Sequence, residues 1–155
     1  MNARPLIHLA TDHAGLERKD EVVLWLKESG YEVIDHGAHQ YDVIDDFPDF
    51  IKLAAEAVSK DPHSRAIIFG GSGQGEAMVA NRYPHVRATV FYGGNEEIVK
   101  LSRQHNDANV LSIGARFVTM ETLARILPIW LTESVLSDAK YGRRNQKIEH
   151  LTKSL

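Results

Sequence analysis

The 155-residue chain contains no cysteine, and this absence removes several classes of chemistry at once. Disulfides, thiolate metal sites and a cysteine nucleophile all need the missing side chain. No run approaches the roughly 20 apolar residues of a membrane-spanning helix, and we find no secretory signal. A net charge of -3 provides no basic field for nucleic acid. We therefore expect a cytoplasmic protein without a membrane or nucleic-acid partner.

The residues that are present have the composition of an ordinary folded domain. Hydrophobic residues make up 43% of the chain and charged residues 25%, as is usual for globular proteins. A chain of this length is most often one domain with its own hydrophobic core. We therefore expect residues 1–155 to form a single domain.

Short apolar runs alternate with longer helical segments along the chain. The apolar runs predict strands at residues 5–10, 31–35, 66–69, 87–92 and 109–113. The segments after them predict helices at residues 16–29, 49–60, 77–81, 96–104 and 120–133, with Pro128 kinking or breaking the last. This alternation predicts an α/β fold with a five-stranded parallel sheet covered on both faces. After a linker at residues 137–142, residues 143–155 predict an extra helix, which must pack on the outside or on a partner subunit.

A glycine-rich loop follows the third predicted strand. Between that strand and a helix lie Gly70, Gly71, Gly73 and Gly75. Such a loop directs backbone N–H groups at an anion, but it lacks the Walker A ending and the dinucleotide spacing. Glu76 at the start of the helix adds a carboxylate, which suits proton abstraction next to a carbonyl. The alternative is a tight turn in which Glu76 only favours the helix N-terminus.

Polar residues also follow the first and fifth predicted strands. Asp12 and His13 come after the first strand, and Arg116 comes after the fifth. Because the carboxyl ends of parallel strands share one edge of a sheet, we expect these residues and the glycine loop to share a pocket. A carboxylate can hold a sugar hydroxyl, and imidazole or guanidinium can bind a phosphate. The alternative for the first pair is a helix cap beside an exposed histidine.

Two further groups contain candidate side chains. His105 and Asn106, after the fourth predicted helix, are candidates for an acid/base and an oxygen-binding amide, or for a polar turn. Arg143, Arg144 and Lys147 in the last helix are candidate phosphate ligands, or a solvated helix face. The eight histidines lack the spacing of a metal site, so we expect neither a metal nor another cofactor.

Taken in order, these motifs resemble those of a known family. They are Thr11-Asp-His-Ala-Gly15, Gly70-Gly-Ser-Gly-Gln-Gly-Glu76, Asn81, His105-Asn-Asp-Ala-Asn-Val-Leu111 and Gly114-Ala-Arg116. The chain resembles the ribose-5-phosphate isomerase B / galactose-6-phosphate isomerase family over nearly its whole length. The resemblance implies a Rossmann-like three-layer α/β/α sandwich and a homodimer, or a dimer of dimers, with active sites between subunits. It also implies metal-free aldose–ketose isomerisation of a phosphosugar.

The resemblance assigns roles to individual residues. Asp12 resembles a sugar-oxygen contact, and His13 a phosphate contact. His105 resembles the acid/base that opens the sugar ring, with Asn106 beside it. The backbone amides that resemble the anion hole for the enediolate belong to Gly71, Gly73, Gln74 and Gly75.

Two branches of the family differ in the base that removes the proton. One branch has a cysteine at the position of Gly70, and the other has a serine in the glycine loop with a glutamate four residues later. This chain resembles the second branch, because Ser72 and Glu76 have that spacing. A serine hydroxyl needs an adjacent base to act. We therefore expect Glu76 to be the base, with Ser72 as its hydrogen-bonding neighbour.

The phosphate-binding positions resemble the family only in part. Arg116 and Arg143 resemble its phosphate-binding arginines, and the helix that carries Arg143 is expected to reach the other subunit. Lys147 stands where a second arginine is frequent, and Phe47 stands where a tyrosine is common. We expect ribose 5-phosphate as the substrate. The alternatives are galactose 6-phosphate, allose 6-phosphate, erythrulose 4-phosphate, a non-catalytic phosphosugar-binding module, or a subunit that needs a paralogous partner.

Overall fold

Strands and helices alternate along the chain in the computed structural model, which describes residues 3–153. The strands are β1 (Ile7–Thr11), β2 (Val33–Asp35), β3 (Arg65–Gly70), β4 (Ala88–Phe91) and β5 (Val110–Gly114). The helices are α1 (Leu16–Glu28), α2 (Phe47–Lys60), α3 (Gln74–Ala80), α4 (Glu97–Asn106), α5 (Met120–Thr132) and α6 (Ala139–Lys153). A short 3-10 turn at His13–Gly15 precedes α1. Every predicted strand and helix is present, with small shifts at the ends.

The five strands form one parallel sheet in the order β2-β1-β3-β5-β4. Side chains along each strand alternate between two faces, so the core has two halves. One half contains Leu9, Ile67 and Leu111 with residues of α1, α4 and α5. The other contains Ile68 and Val110 with residues of α2 and α3. This is the three-layer α/β/α architecture that the sequence predicted.

The chain changes direction across the sheet between β1 and β3. From β1 it crosses to β2 on one side, and from β2 it returns to β3 on the other side. In open parallel sheets, ligands bind beyond the carboxyl ends of the strands at such a switch point. The loops after Thr11 and Gly70 therefore border the position that the topology favours for a site.

The C-terminal region differs from its prediction. The expected linker at residues 137–142 is partly helical, because α6 begins at Ala139. Gly142, a weak helix former, is tolerated inside α6, where the Tyr141 ring stacks on His105 with centroids 4.7 Å apart. The described part of α6 thus packs on α4 of its own chain. Residues 154–155 of the predicted helix lie outside the described residues.

Two details concern helix α5. Pro128 lies inside α5, which continues to Thr132 rather than breaking. Thr119 caps α5, because its hydroxyl accepts the N–H of Thr122 at 3.2 Å. Between residues 3 and 153, none of the helices has the length and apolar character needed to cross a bilayer.

Candidate active site

The loops after three neighbouring strands enclose an open cleft of about 360 Å³. β1, β3 and β5 lie side by side, so their carboxyl ends bring distant parts of the chain together. The lining residues are Asp12, His13, Ala14, Phe47, Gly71, Ser72, Gly75, Glu76, Arg116 and Phe117. The structure therefore groups the Asp-His pair, the glycine loop and Arg116, as the sequence predicted from the strand order.

Glu76 lies in the first turn of α3, and its side chain folds back over the end of β3. It is only 5% exposed. Its carboxylate occupies the space directly above Gly70, where any larger residue would place its Cβ atom. Gly70 therefore provides the room in which the carboxylate of Glu76 sits.

The surroundings of Glu76 favour its protonated form. Burial raises the pKa of its carboxyl group, and the negative charge of Asp12 raises it further. A hydrogen bond with the backbone of Glu76 itself acts in the opposite direction. A carboxylate with a raised pKa is a stronger base than an exposed one. Glu76 therefore has the burial and electrostatics of a general base.

The glycine loop is held in place by contacts that need glycine. Gly73 has a φ of 78°, in the left-handed region, and its carbonyl accepts the Ser112 hydroxyl at 2.7 Å. The loop leads into the N-terminus of α3, where the first N–H groups of a helix have no partner within the helix. The Ser72 hydroxyl accepts the N–H of Gln74 at 3.4 Å and is exposed. The expected hydrogen bond between Ser72 and Glu76 is absent among residues 3–153, because the Glu76 carboxylate turns back toward Gly70.

Asp12 and His13 enter the cleft from the 3-10 turn after β1. The Asp12 carboxylate accepts the N–H of Ala14 at 2.9 Å and is 7% exposed. The His13 ring is held by Asp45, whose Oδ1 lies 2.5 Å from Nδ1. That hydrogen bond raises the pKa of His13, and the charge of Asp12 adds to the effect. Asp12 thus acts as the cap that the alternative interpretation foresaw, while it also lines the cleft.

Arg116 forms the opposite wall of the cleft from the loop after β5. Its backbone N–H donates to the carbonyl of Gly71 at 3.2 Å. Its guanidinium lies against Gly71, where an added Cβ would be 3.1 Å from Nη1. The positive charge of Arg116 opposes protonation of His13, as expected for two groups that line the same cleft. An arginine together with a histidine whose pKa is raised suits an anionic group.

His105 and Asn106 lie at the opposite edge of the sheet. They end α4, which leads into the amino end of β5, whereas Glu76 lies beyond the carboxyl end of β3. The five residues of β5 span about 13 Å between the two edges. Within one chain, His105 and Glu76 therefore lie at opposite edges of the sheet and do not meet.

The candidates on α6 belong with His105 rather than with Glu76. Asn145 of α6 donates to the carbonyl of His105 at 3.1 Å. Arg143 and Lys147 are exposed on the same helix. The structure thus divides the candidate residues into a carboxyl-edge group, all of which line the cleft except Gly73 and Gln74, and an amino-edge group on α4 and α6.

One set of side chains has the composition of a metal site. Ligand atoms of Asp12, His13 and Asp45 lie within 4.8 Å of one another. Spacing along the chain does not indicate this compact set, because Asp45 is far from the other two residues in sequence. His13 already donates to Asp45, and the Asp12 carboxylate accepts a backbone N–H. These hydrogen bonds account for the grouping without a metal ion.

Two residues, one behind His13 and one lining the cleft, were not among the sequence candidates. Asp45 precedes α2 in an acidic loop, and only the fold brings it to His13. Phe117 follows Arg116 and exposes 64% of its surface at the cleft. The sequence contained no local signal for either residue.

The chain matches a described protein family over almost all of its length. Residues 7–151 match the Ribose/Galactose Isomerase family. Ribose-5-phosphate isomerase B of Mycolicibacterium paratuberculosis is 36% identical over 138 residues, which are 89% of this chain and 86% of that one. The Escherichia coli protein of the same name is 36% identical over 148 residues, 94% of this chain and 93% of its own.

Solved structures of similar proteins share the fold. Ribose-5-phosphate isomerase B from Mycoplasma genitalium, with bound ribulose 5-phosphate, has a TM-score of 0.91 and 34% identity, and 97% of each chain is covered. Ribose-5-phosphate isomerase B from Clostridium thermocellum has a TM-score of 0.89 and 36% identity, covering 96% of this chain and 98% of that one. These matches confirm the family resemblance that the motifs indicated.

Proposed function

Because the chain belongs to the ribose/galactose isomerase family, we propose that it is a metal-independent aldose–ketose isomerase that converts ribose 5-phosphate to ribulose 5-phosphate. The observation that carries the proposal is the position of Glu76. A buried carboxylate whose pKa is raised lies beside a glycine loop, in a cleft that is also lined by Arg116 and His13. Proton transfer next to a carbonyl needs this combination of base, oxyanion donors and phosphate ligands.

The reaction moves one proton between neighbouring carbons. In the open-chain aldose, Glu76 removes the proton from C2, and the electron pair forms a C1–C2 double bond while charge develops on O1. Amides of Gly71, Gly73, Gln74 and Gly75 stabilise this enediolate as an oxyanion hole does. The O2 proton moves to O1, and Glu76 returns its proton to C1. The product is the 2-ketose, and Glu76 is again a carboxylate.

The substrate is held at its two ends. Asp12 binds a sugar hydroxyl near Glu76, and Arg116 and His13 bind the phosphate through charge-assisted hydrogen bonds. Phe47 also lines the cleft, with its ring packed against Gly75. Its phenyl ring offers no hydrogen bond, so this wall discriminates among sugars by shape alone.

The amino-edge group serves the site of a second subunit. His105 is a suitable acid/base for ring opening, but it lies on the far side of the sheet from Glu76 of its own chain. In a homodimer, His105 and Asn106 of one chain approach Glu76 of its partner, and Arg143 and Lys147 add to the phosphate site. In this arrangement the exposed face of α6 contacts the partner subunit.

Isomerase assays with purified protein test the chemistry. With EDTA present, we expect turnover of ribose 5-phosphate, and we expect Glu76→Gln to bind the sugar but lose nearly all turnover. The same assay on four- to six-carbon phosphosugars distinguishes the alternative substrates. Tight binding of a phosphosugar without turnover of any would instead favour a binding module or a missing paralogous partner.

Mixing two inactive variants tests the shared site. We expect Glu76→Gln and His105→Ala to be nearly inactive alone. If each site uses Glu76 of one chain and His105 of the other, a mixed dimer has one intact site and one doubly changed site. Random pairing then restores about a quarter of wild-type activity, because half of the dimers are mixed. No recovery in verified mixed dimers would show that the two residues do not serve one site across subunits.

Pairing of dimers into tetramers and residence in the cytoplasm stay predictions from the sequence. Analytical ultracentrifugation of the purified protein tests the first.

A further inference from the structure

We propose that Asp45 is a positioning residue for the phosphate site: it fixes the orientation of the His13 ring and favours the positively charged form of that ring. This inference rests on the proposed function, in which His13 binds the substrate phosphate. Asp45 belongs to the loop between β2 and α2; it is not among the residues that line the cleft, but it is hydrogen-bonded to His13, which is. It therefore has no direct part in the chemistry.

Two hydrogen bonds attach Asp45 to His13. Oδ1 of Asp45 lies 2.5 Å from His13 Nδ1 and accepts the backbone N–H of His13 at 3.2 Å. Because a carboxylate only accepts, Nδ1 carries a proton in this pair. The other ring nitrogen, Nε2, is then left for a ligand. The ring cannot rotate without losing the Nδ1 contact, so its orientation is fixed before substrate arrives.

The burial of Asp45 makes a charged partner favourable. Its side chain is only 8% exposed, whereas that of His13 is 20% exposed at the cleft. The second carboxylate oxygen, Oδ2, is buried and accepts no hydrogen bond from any described residue. A buried carboxylate with an unsatisfied oxygen is costly unless a positive charge lies beside it. Protonation of His13 supplies that charge.

The charges around His13 act in both directions. Asp45 and Asp12 favour the imidazolium, while Arg116 and partial burial oppose it, and the Asp45 hydrogen bond has the largest effect. The Tyr41 ring meets the His13 ring edge-on, with the ring centroids 5.8 Å apart. Without Asp45, the balance therefore moves toward neutral imidazole, which is a weaker ligand for a phosphate dianion.

The expected consequence is a limit on substrate binding at alkaline pH. A sugar phosphate is mostly a dianion above about pH 6. The KM for ribose 5-phosphate should therefore rise once His13 loses its proton. Because Asp45 raises the pKa of His13, Asp45→Asn should move that rise to lower pH. At pH 8 we expect KM to increase roughly tenfold, with kcat within about twofold of wild type.

Three variants separate this role from a general effect on the loop. Asp46→Asn makes the same change of charge one residue away, at an exposed side chain that does not cap α2, and should leave the KM profile unchanged. Asp45→Glu should recover part of the binding, since it restores the charge. In a His13→Gln background, Asp45→Asn should add no further increase in KM, because its effect acts through the ring. A full additional increase there would overturn the proposal.

A direct measurement keeps the test independent of turnover. Titration of His13 by NMR, with His13→Gln to assign the signals, should give a lower imidazole pKa in Asp45→Asn than in wild type. Equal values would overturn the proposal. If the wild-type protein turns over no phosphosugar, the proposed function fails. The NMR titration, together with binding of inorganic phosphate to wild type and Asp45→Asn, would still support or reject the role of Asp45.

Discussion

Gly70→Ala tests whether the position of the Glu76 carboxylate matters, separately from its presence. The variant adds one methyl group at the end of β3. The three heavy atoms nearest to that methyl group would all belong to the Glu76 carboxylate, and the farthest of them, Oε2, would be only 2.5 Å away. The conflict is therefore with the proposed base and not with the fold.

The size of the effect follows from this overlap. Ordinary contact begins near 3.4 Å, so the carboxylate has to withdraw by about 1 Å or more. A displacement of that size can cost roughly 10²-fold in rate when a catalytic group must be within reach of one hydrogen atom. We expect kcat to fall by about that factor. The KM should change little, because Arg116 and His13 are not displaced.

Stability should be nearly unaffected by Gly70→Ala. The backbone of Gly70 lies outside the left-handed region, so alanine can adopt it without strain. The methyl group can be accommodated by movement of one flexible side chain. Thermal unfolding should therefore stay within a few degrees of wild type, which we expect circular dichroism to show.

A matched variant controls for the change from glycine to alanine. Gly142→Ala adds the same methyl group in α6, where no heavy atom lies within 4 Å of the new Cβ. It should retain wild-type kcat and gain a little stability, because alanine is the better helix former. Steady-state assays on the three proteins decide the outcome. Wild-type kcat in a folded Gly70→Ala protein would refute the reasoning that Glu76 acts from its place above Gly70.

Three further predictions follow from the charges in the structure. Arg116→Ala should raise KM for ribose 5-phosphate roughly 10- to 100-fold, and an unchanged KM would remove Arg116 from the phosphate site. Burial and the charge of Asp12 raise the pKa of Glu76 above 4.5, so the loss of kcat/KM on acidification should have its midpoint above pH 4.5. Asp12→Asn should move that midpoint to lower pH. Burial lowers the pKa of His8 and His36 below 6.5, so the unfolded chain binds more protons than the folded chain at acidic pH. The free energy of unfolding should therefore decrease as pH falls below about 6.5. Urea unfolding at pH 7.5 and 5.5 should show this loss, and His8→Gln should reduce it.

Local patterns were sufficient for most of the fold. Fully apolar runs such as Ala66 to Phe69 are typical of strands that are buried on both faces, and this run of four residues is too short for a buried helix. Their alternation with helices left few topologies open. The start of α6 was misplaced because Gly142 indicated a linker. The stacking of Tyr141 on His105, a contact between distant residues, stabilises the first turn of that helix.

The sequence by itself also determined the chemistry available to this protein. It excludes thiol chemistry, supplies a glycine loop with a carboxylate, and places polar residues after the strands whose ends share one edge. Only the tertiary structure decided which of these residues meet. It joined Asp45 to His13, directed Glu76 toward Gly70 and away from Ser72, and put His105 at the far edge of the sheet. The reason is physical: spacing along the chain fixes local conformation, whereas contacts across the sheet depend on strand order and on the space that each side chain leaves for another.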